Sequence, residues 1–325
     1  MSEFDIEAIR HAASRLRGKV VRTPLLESPM LSARAGCRLF VKAEPLQLTG
    51  SFKVRGALNK VLSLDAAARR AGLVAFSAGN HGQGVAAAAR AVKCPSVIVM
   101  PNTAPRIKID NCRWWGADVV LYEPQTQDRV DVARRIAEPR GMTIVPPFDD
   151  YDIMAGQGTC GQEIVEQLQE LHTTPDAIVI GCSGGGLASG VSEAVKHAFP
   201  AAEIFLAEVR GFEKMARSLA CGTAQTNPSV PRTVLDGIAG PTAGIRPLDV
   251  LRRHGARGVG VSDEEGLAGV AAAFRLLKLV VEPGGAAALG AVLGGKVDVA
   301  GKNVVVIASG GNVDPSIFAQ ALERF

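Results

Sequence analysis

Lys53 is the side chain best placed by its neighbours to act as a base or nucleophile. It stands in Leu48-Thr49-Gly50-Ser51-Phe52-Lys53-Val54-Arg55-Gly56-Ala57, where Thr49-Gly50-Ser51 reads as loop and N-cap and an amphipathic helix follows. The pattern sets Lys53 in the first helical turn. A helix N-terminus carries partial positive charge, which disfavours an ammonium and lowers an amine's pKa, as a nitrogen that must be neutral part of the time requires. Two glycine-rich stretches supply partners. Ser183-Gly184-Gly185-Gly186-Leu187 follows a strand-like run and precedes a helical one. Its glycines let backbone N–H groups crowd around an anion, so it reads as a phosphate cradle, although a tight strand-to-helix turn has the same composition. It lacks the spacing and lysine of a Walker A loop. Ser77-Ala78-Gly79-Asn80-His81-Gly82 sets a hydroxyl, an amide and an imidazole at the end of a short strand, where parallel sheets bind ligands, and Ser309-Gly310-Gly311-Asn312 repeats that arrangement late in the chain.

The elements that must position these groups alternate. Short apolar runs at Arg38–Glu44, Gly72–Ser77, Ser96–Pro101, Asp118–Tyr122, Asp176–Gly181, Glu203–Glu208 and Asn303–Ala308 read as strands. Helical stretches are expected over the N-terminal segment, from Gly82 through Val92, from Ala104 to Trp115 and from Gly161 to Leu171. Pro146-Pro147 excludes helix at that point. Such alternation implies parallel sheets covered on both faces. The fold class is therefore α/β, with two doubly wound open-sheet lobes and a ligand in the crevice between them. About 50–150 forms a small lobe, and 1–49 with 151–325 a large one.

Composition narrows the function. The 325 residues are 47% hydrophobic and 21% charged, and 36 Lys and Arg face 32 Asp and Glu. That excess is too small and dispersed for a nucleic-acid or anionic-membrane partner. The charged amphipathic start is no signal peptide, and no apolar run reaches a membrane span, so a cytoplasmic protein is expected. Six scattered cysteines include no C-x-x-C pair and no His cluster that would make a metal site.

Ser51-Phe52-Lys53, the Ser77–His81 stretch, the Ser183–Leu187 loop, Val281-Glu282-Pro283-Gly284-Gly285 and Ser309-Gly310-Gly311-Asn312 together resemble one family, in the right order over nearly the whole chain. The sequence is similar to the threonine/serine dehydratase and serine racemase branch of fold type II (tryptophan synthase beta-like) pyridoxal-phosphate enzymes. The resemblance implies pyridoxal 5'-phosphate as cofactor, with Lys53 forming the Schiff base and Phe52 packing beside the ring. It implies that Asn80 meets the ring hydroxyl, that Ser183, Gly184, Gly185, Gly186 and Leu187 hold the phosphate, and that Ser309 meets the pyridine nitrogen. The substrate carboxylate would lie over Ser77, Asn80 and His81. A serine at the ring nitrogen makes a weaker electron sink than a carboxylate would, favouring prompt loss of a β-substituent. The implied reaction is α,β-elimination from an L-β-hydroxy-α-amino acid, first of all threonine or serine, to a 2-oxo acid and ammonia.

Departures from the family pattern sharpen the expectation. Racemases of the branch carry a second serine where this chain has Ala78, so elimination should dominate over racemisation. Relatives that bind a divalent cation use a glutamate matching Glu208 and an acidic residue where this chain has Lys214, so no metal is expected, although the two also read as an exposed ion pair. Arg135 or Arg246 could pair with a β-carboxylate, which would make L-threo-3-hydroxyaspartate the substrate, whereas an apolar pocket would suit L-threo-phenylserine. With the last motif at Asn312 and the last residue at Phe325, no C-terminal regulatory domain is expected. A homodimer is the expected assembly. A serine racemase is a further alternative, and a phosphate-binding module without covalent catalysis is the alternative of another class.

Overall fold

The computed structural model describes residues 4–104 and 106–325. Its strands are β1 (Leu25–Glu27), β2 (Arg38–Ala43), β3 (Leu73–Phe76), β4 (Ser96–Pro101), β5 (Asp118–Tyr122), β6 (Thr143–Ile144), β7 (Ala177–Gly181), β8 (Glu203–Val209), β9 (Arg257–Val261) and β10 (Asn303–Ala308). They build two open sheets in an α/β arrangement. One has the order β1-β2-β10-β7-β8-β9 and the other β5-β4-β3-β6. All neighbours run parallel except β1, which pairs antiparallel with β2. Strands β7 and β10 are runs of branched apolar residues buried on both faces, as a helix-covered parallel sheet requires. Strand β5 departs from that expectation: it is an edge strand, and Val120 and Leu121 are exposed.

Several boundaries differ from the sequence reading. The first helix spans Ile6–Leu16, and residues 1–3 of the segment expected to form it lie outside the described residues. The helix expected from Gly161 begins ten residues earlier and spans Tyr151–Glu170, its N-terminal amides of Asp152 and Ile153 capped by the Asp150 carboxylate at 2.9 and 3.1 Å. Its glycines are contact points, not breaks. A Cβ on Gly156 would fall 2.5 Å from the Arg55 carbonyl, and one on Gly161 would fall 2.8 Å from Val191 Cα. Strand β9, Arg-Gly-Val-Gly-Val, carries too little apolar pattern to be read from sequence.

The helix Lys53–Ser63 joins the two sheets. It leaves β2 of the larger sheet and packs Leu58 and Val61 into the core beneath β3 of the smaller one. Two glycines bring neighbouring helices against its backbone: Gly156 on one side and, on the other, Gly84 of the helix Asn80–Ala91, where a Cβ would lie 3.1 Å from the Lys53 carbonyl carbon.

A buried ionic cluster fixes the same helix. The Arg55 guanidinium meets both Glu44 oxygens at 2.8 Å, and both Glu163 oxygens at 2.7 and 2.9 Å. Lys42 donates to Glu163 at 2.7 Å, to Gln167 at 2.9 Å and to the Thr23 carbonyl at 2.6 Å. Arg55, Lys42 and Glu44 are each fully buried. Two cations thus face two carboxylates across β2, the Lys53–Ser63 helix and the Tyr151–Glu170 helix. Burial pushes the Glu44 carboxyl up, but the Arg55 charge and hydrogen bonds overcome it and hold it below the usual range.

Candidate active site

The cleft holding Lys53 has a cavity volume of about 330 Å³ and gathers the C-terminal ends of β3, β7 and β10. Its floor is built by two helices that start without a side-chain cap. The helix Asn80–Ala91 follows Gly79, and the helix Gly186–Ala198 follows Gly185, whose φ of +94° only glycine adopts freely. The Ser189 amide returns to the Gly185 carbonyl at 2.8 Å, so the amides of Gly186, Leu187 and Ala188 are first-turn donors with no acceptor inside the helix. Asn80, His81 and Gly82 stand in the same position on the other helix. Each terminus adds a favourable dipole, so the cavity offers two separate anion seats. Glycine is required at 184 because Phe148 lies across the loop, its ring 2.3 Å from where a Cβ would be.

Lys53 is the first residue of its helix, and Phe52, not the Thr49–Ser51 segment, occupies the N-cap position without a capping bond. Lys53 Nζ donates to the Pro147 carbonyl at 2.9 Å and lies 5.0 Å from the Phe52 ring centre. Burial lowers its pKa from 10.5 to about 8. Desolvation is the cause of that shift, an effect the sequence pattern at the helix start does not show.

The other expected residues divide. Ser77, Asn80, Ser183 to Leu187 and Ser309 all line the cavity. Ser77 Oγ accepts the Gly79 amide at 3.1 Å, while the Ser309 hydroxyl makes no hydrogen bond among the described residues. His81 also lines it, yet its Nε2 is committed to the Val145 carbonyl at 2.9 Å. Burial, and then the Lys53 charge, lower its pKa to about 3, so the ring is neutral and no cation for a carboxylate. Arg135 and Arg246 are not brought to the cavity. Arg135 is exposed on the helix Arg129–Ala137, and Arg246 is spent on the Asp149 carbonyl at 3.1 Å and stacks over Tyr151 on the helix Ile245–Arg253. Besides Lys53, the lysine and arginine that do reach the wall are Lys108, 3.4 Å from Asp236, and Arg129, over the Phe76 ring at 5.7 Å. Six residues of helix separate Arg129 from Arg135, a rotation of about 240°, so the two face apart. The sequence sets Arg135 on a helix after Tyr122 without showing which face of that helix looks inward.

Glu208 and Lys214 form a pair 3.6 Å apart, but buried, which corrects the reading of an exposed one. Glu208 also accepts the Met215 and Ala216 amides at 2.9 and 2.8 Å, and burial raises its pKa nonetheless. Among the described residues no helix is long and apolar enough to cross a membrane.

Known proteins resemble the chain over nearly its whole length. The family described as pyridoxal-phosphate dependent enzyme matches residues 16–310. An L-threo-3-hydroxyaspartate ammonia-lyase of Pseudomonas sp. is 39% identical over 96% of each chain. Among solved structures, the T.th. threonine deaminase superposes with a TM-score of 0.90 at 38% identity, covering 95% of this chain and 99% of that one. Maize serine racemase superposes with a TM-score of 0.91 at 34% identity, covering 99% of this chain and 98% of that one.

Proposed function

The chain belongs to the pyridoxal-phosphate-dependent enzyme family, and from that premise we propose that it is an ammonia-lyase converting an L-β-hydroxy-α-amino acid to a 2-oxo acid and ammonia. One observation carries the reading: a half-buried amine of lowered pKa and two uncapped helix N-termini share one cavity. The donors suit a phosphorylated aldehyde and an amino acid carboxylate together. In this reading the Gly186, Leu187 and Ala188 amides, with Ser183, hold the phosphate. Lys53 bonds the aldehyde carbon, Phe52 packs beside the ring, Asn80 meets the ring hydroxyl and Ser309 the ring nitrogen. The bound cofactor supplies electron withdrawal that acidifies the substrate Cα–H. The first-turn amides of the Asn80 helix, with Ser77, seat the substrate carboxylate. Once the substrate's amino group displaces it from that carbon, Lys53 would be a free amine, its pKa lowered by burial, able to take the Cα proton while the β-hydroxyl leaves with a proton as water. Ala78 on the cavity wall has no proton to return to Cα, which supports elimination over racemisation.

Lys108 and Arg129 favour a particular side chain. Two cations on the wall of a cavity that must also accept an amino acid suit a second carboxylate, so within this reading L-threo-3-hydroxyaspartate is preferred to threonine or serine. The assembly proposed is a homodimer, checked by sedimentation.

The test is 2-oxo acid release from L-threonine, L-serine, L-threo-3-hydroxyaspartate and L-threo-phenylserine, with wild type, Lys53→Ala and Arg129→Leu. Turnover of at least one substrate, lost in Lys53→Ala, is expected. Arg129→Leu should lower kcat/KM for hydroxyaspartate about ten-fold or more while leaving threonine nearly unchanged. Failure of every substrate by a cofactor-loaded protein would end the elimination reading.

A further inference from the structure

The Asn80 side chain is held at both ends. Its Oδ1 accepts from Asn312 Nδ2 at 2.7 Å, and its Nδ2 donates to Glu282 Oε1 at 2.5 Å. Asn312 Nδ2 also donates to the Thr49 carbonyl at 2.9 Å. A backbone carbonyl can only accept, so Thr49 fixes which way Asn312 faces, and Asn312 fixes Asn80. Asn80 must then present a donor to Glu282. One Asn80 N–H stays uncommitted, on a residue that lines the cavity with Lys53.

Glu282 is placed as no ordinary surface acid. It occupies the N-cap position of the helix Pro283–Leu293 but makes no capping bond, its carboxyl being spent on Asn80. It is 7% exposed. Backbone encloses it: a Cβ on Gly310 would fall 2.3 Å from Oε1, and one on Gly237 would fall 3.8 Å away. Glu282's own amide bonds the Gly310 carbonyl at 3.0 Å, tying it to the turn after Ser309. The charges around it come from three elements. Asp236, on the turn Asp236–Ile238, opposes its ionisation, and Lys108, on the helix Arg106–Trp114, favours it. Lys53 shares the cavity wall, and His81 on the Asn80 helix is neutral. Burial first, then Asp236, outweigh the Asn80 bond and Lys108, and the carboxyl's pKa rises to about 7.

We propose that Glu282 is a positioning residue that acts through Asn80: the chain Thr49–Asn312–Asn80–Glu282 aims one Asn80 N–H into the cavity, and the charge on Glu282 tunes the oxygen which that N–H meets. An ionised carboxylate behind the amide opposes negative charge on the cofactor's ring oxygen, and a protonated one does not. The inference rests on the reading that Asn80 meets that oxygen, and is independent of the elimination chemistry.

The experiment is a pH titration of the holoenzyme's visible absorbance without substrate, on either side of pH 7, beside the melting temperature of the apoprotein over the same range. Wild type should show a band shift with a midpoint near 7, the value to which the carboxyl is raised. Glu282→Gln keeps an acceptor for Asn80, so it should keep the cofactor and lose the shift. Glu282→Leu leaves an Asn80 N–H without a partner and should release cofactor about ten-fold more readily. In the apoprotein a raised carboxyl pKa makes stability fall as pH rises from 4.5 through about 7. Glu282→Gln should remove that fall. The same midpoint in Glu282→Gln, or a wild-type spectrum and cofactor retention in Glu282→Leu, would overturn the proposal.

Discussion

Glu44→Gln tests how the Lys53 helix is held. The substitution is nearly isosteric and neutralises one of two carboxylates that face Arg55 and Lys42 in a fully buried cluster. Arg55 uses Nε and Nη2 on the two Glu44 oxygens. A glutamine returns one acceptor and turns an NH₂ group, a donor, toward the guanidinium. Two cations are then left with Glu163 alone, and an uncompensated buried charge costs about 3–5 kcal/mol. The measurement is urea unfolding of apo- and holoprotein for Glu44→Gln, Arg55→Met and the double variant. The double variant leaves Lys42 paired with Glu163, so it should recover most of the loss, with a coupling of about 2 kcal/mol or more. Arg55 is two residues beyond Lys53, so Glu44→Gln should also reduce cofactor occupancy. The pH dependence has a definite sign: the folded pKa of Glu44 lies below 4.5, so its contribution is present above 4.5 and is lost as pH falls through the folded value. A cost under about 1 kcal/mol, or a double variant as unstable as the two losses combined, would refute this account of the cluster.

The remaining predictions concern Lys53 and its support. Lys53 sits with its pKa lowered to about 8, so its folded-state penalty is present below that value and relieved as pH rises toward 10.5. Lys53→Met should therefore stabilise the apoprotein near neutral pH by about 1–3 kcal/mol, after discounting for partial exposure, while abolishing 2-oxo acid release; an apoprotein melting no higher than wild type would count against burial as the cause. Gly84→Val would drive a branched side chain into the Lys53 backbone, where even a Cβ would lie 3.1 Å from the carbonyl carbon. It should cost about 1–3 kcal/mol and shift the cofactor spectrum, and an unchanged spectrum would mean that the contact does not position Lys53.

How much of this can be read from the sequence depends on distance along the chain. Lys53, the Ser183–Leu187 loop and Ser309 are legible because each chemical group lies beside the glycine turn or helix start that presents it. The Glu44–Arg55–Glu163–Lys42 cluster is not, since Glu163 lies 121 positions from Lys42 and no local pattern links them. The same holds for Asn80 and Asn312, which are 232 positions apart yet share a hydrogen bond. Arg135 and Arg246 are the wrong arginines for the cavity because charge alone does not reveal which face of a helix looks inward. Gly156, Gly158 and Gly161 look like the absence of a helix, and only the packing shows why they lie inside one: a Cβ on Gly158 would fall 3.0 Å from the Gly190 carbonyl.

Strand β10 lies between β2 and β7, yet it is the last strand to leave the ribosome. Arg38 pairs with Asn303 and Ala43 with Ala308, so β2 waits for a partner 265 residues away. At ordinary synthesis rates of 5–20 residues per second that wait is roughly 13–53 s, during which a strand destined for burial has an open edge. The smaller sheet, complete by Ile144, has no such delay. Nascent chains should therefore carry a folded smaller sheet beside an unfinished larger one, and translation stalled before Asn303 should leave a protease-sensitive, chaperone-bound product with its lysine in place and no fixed site around it.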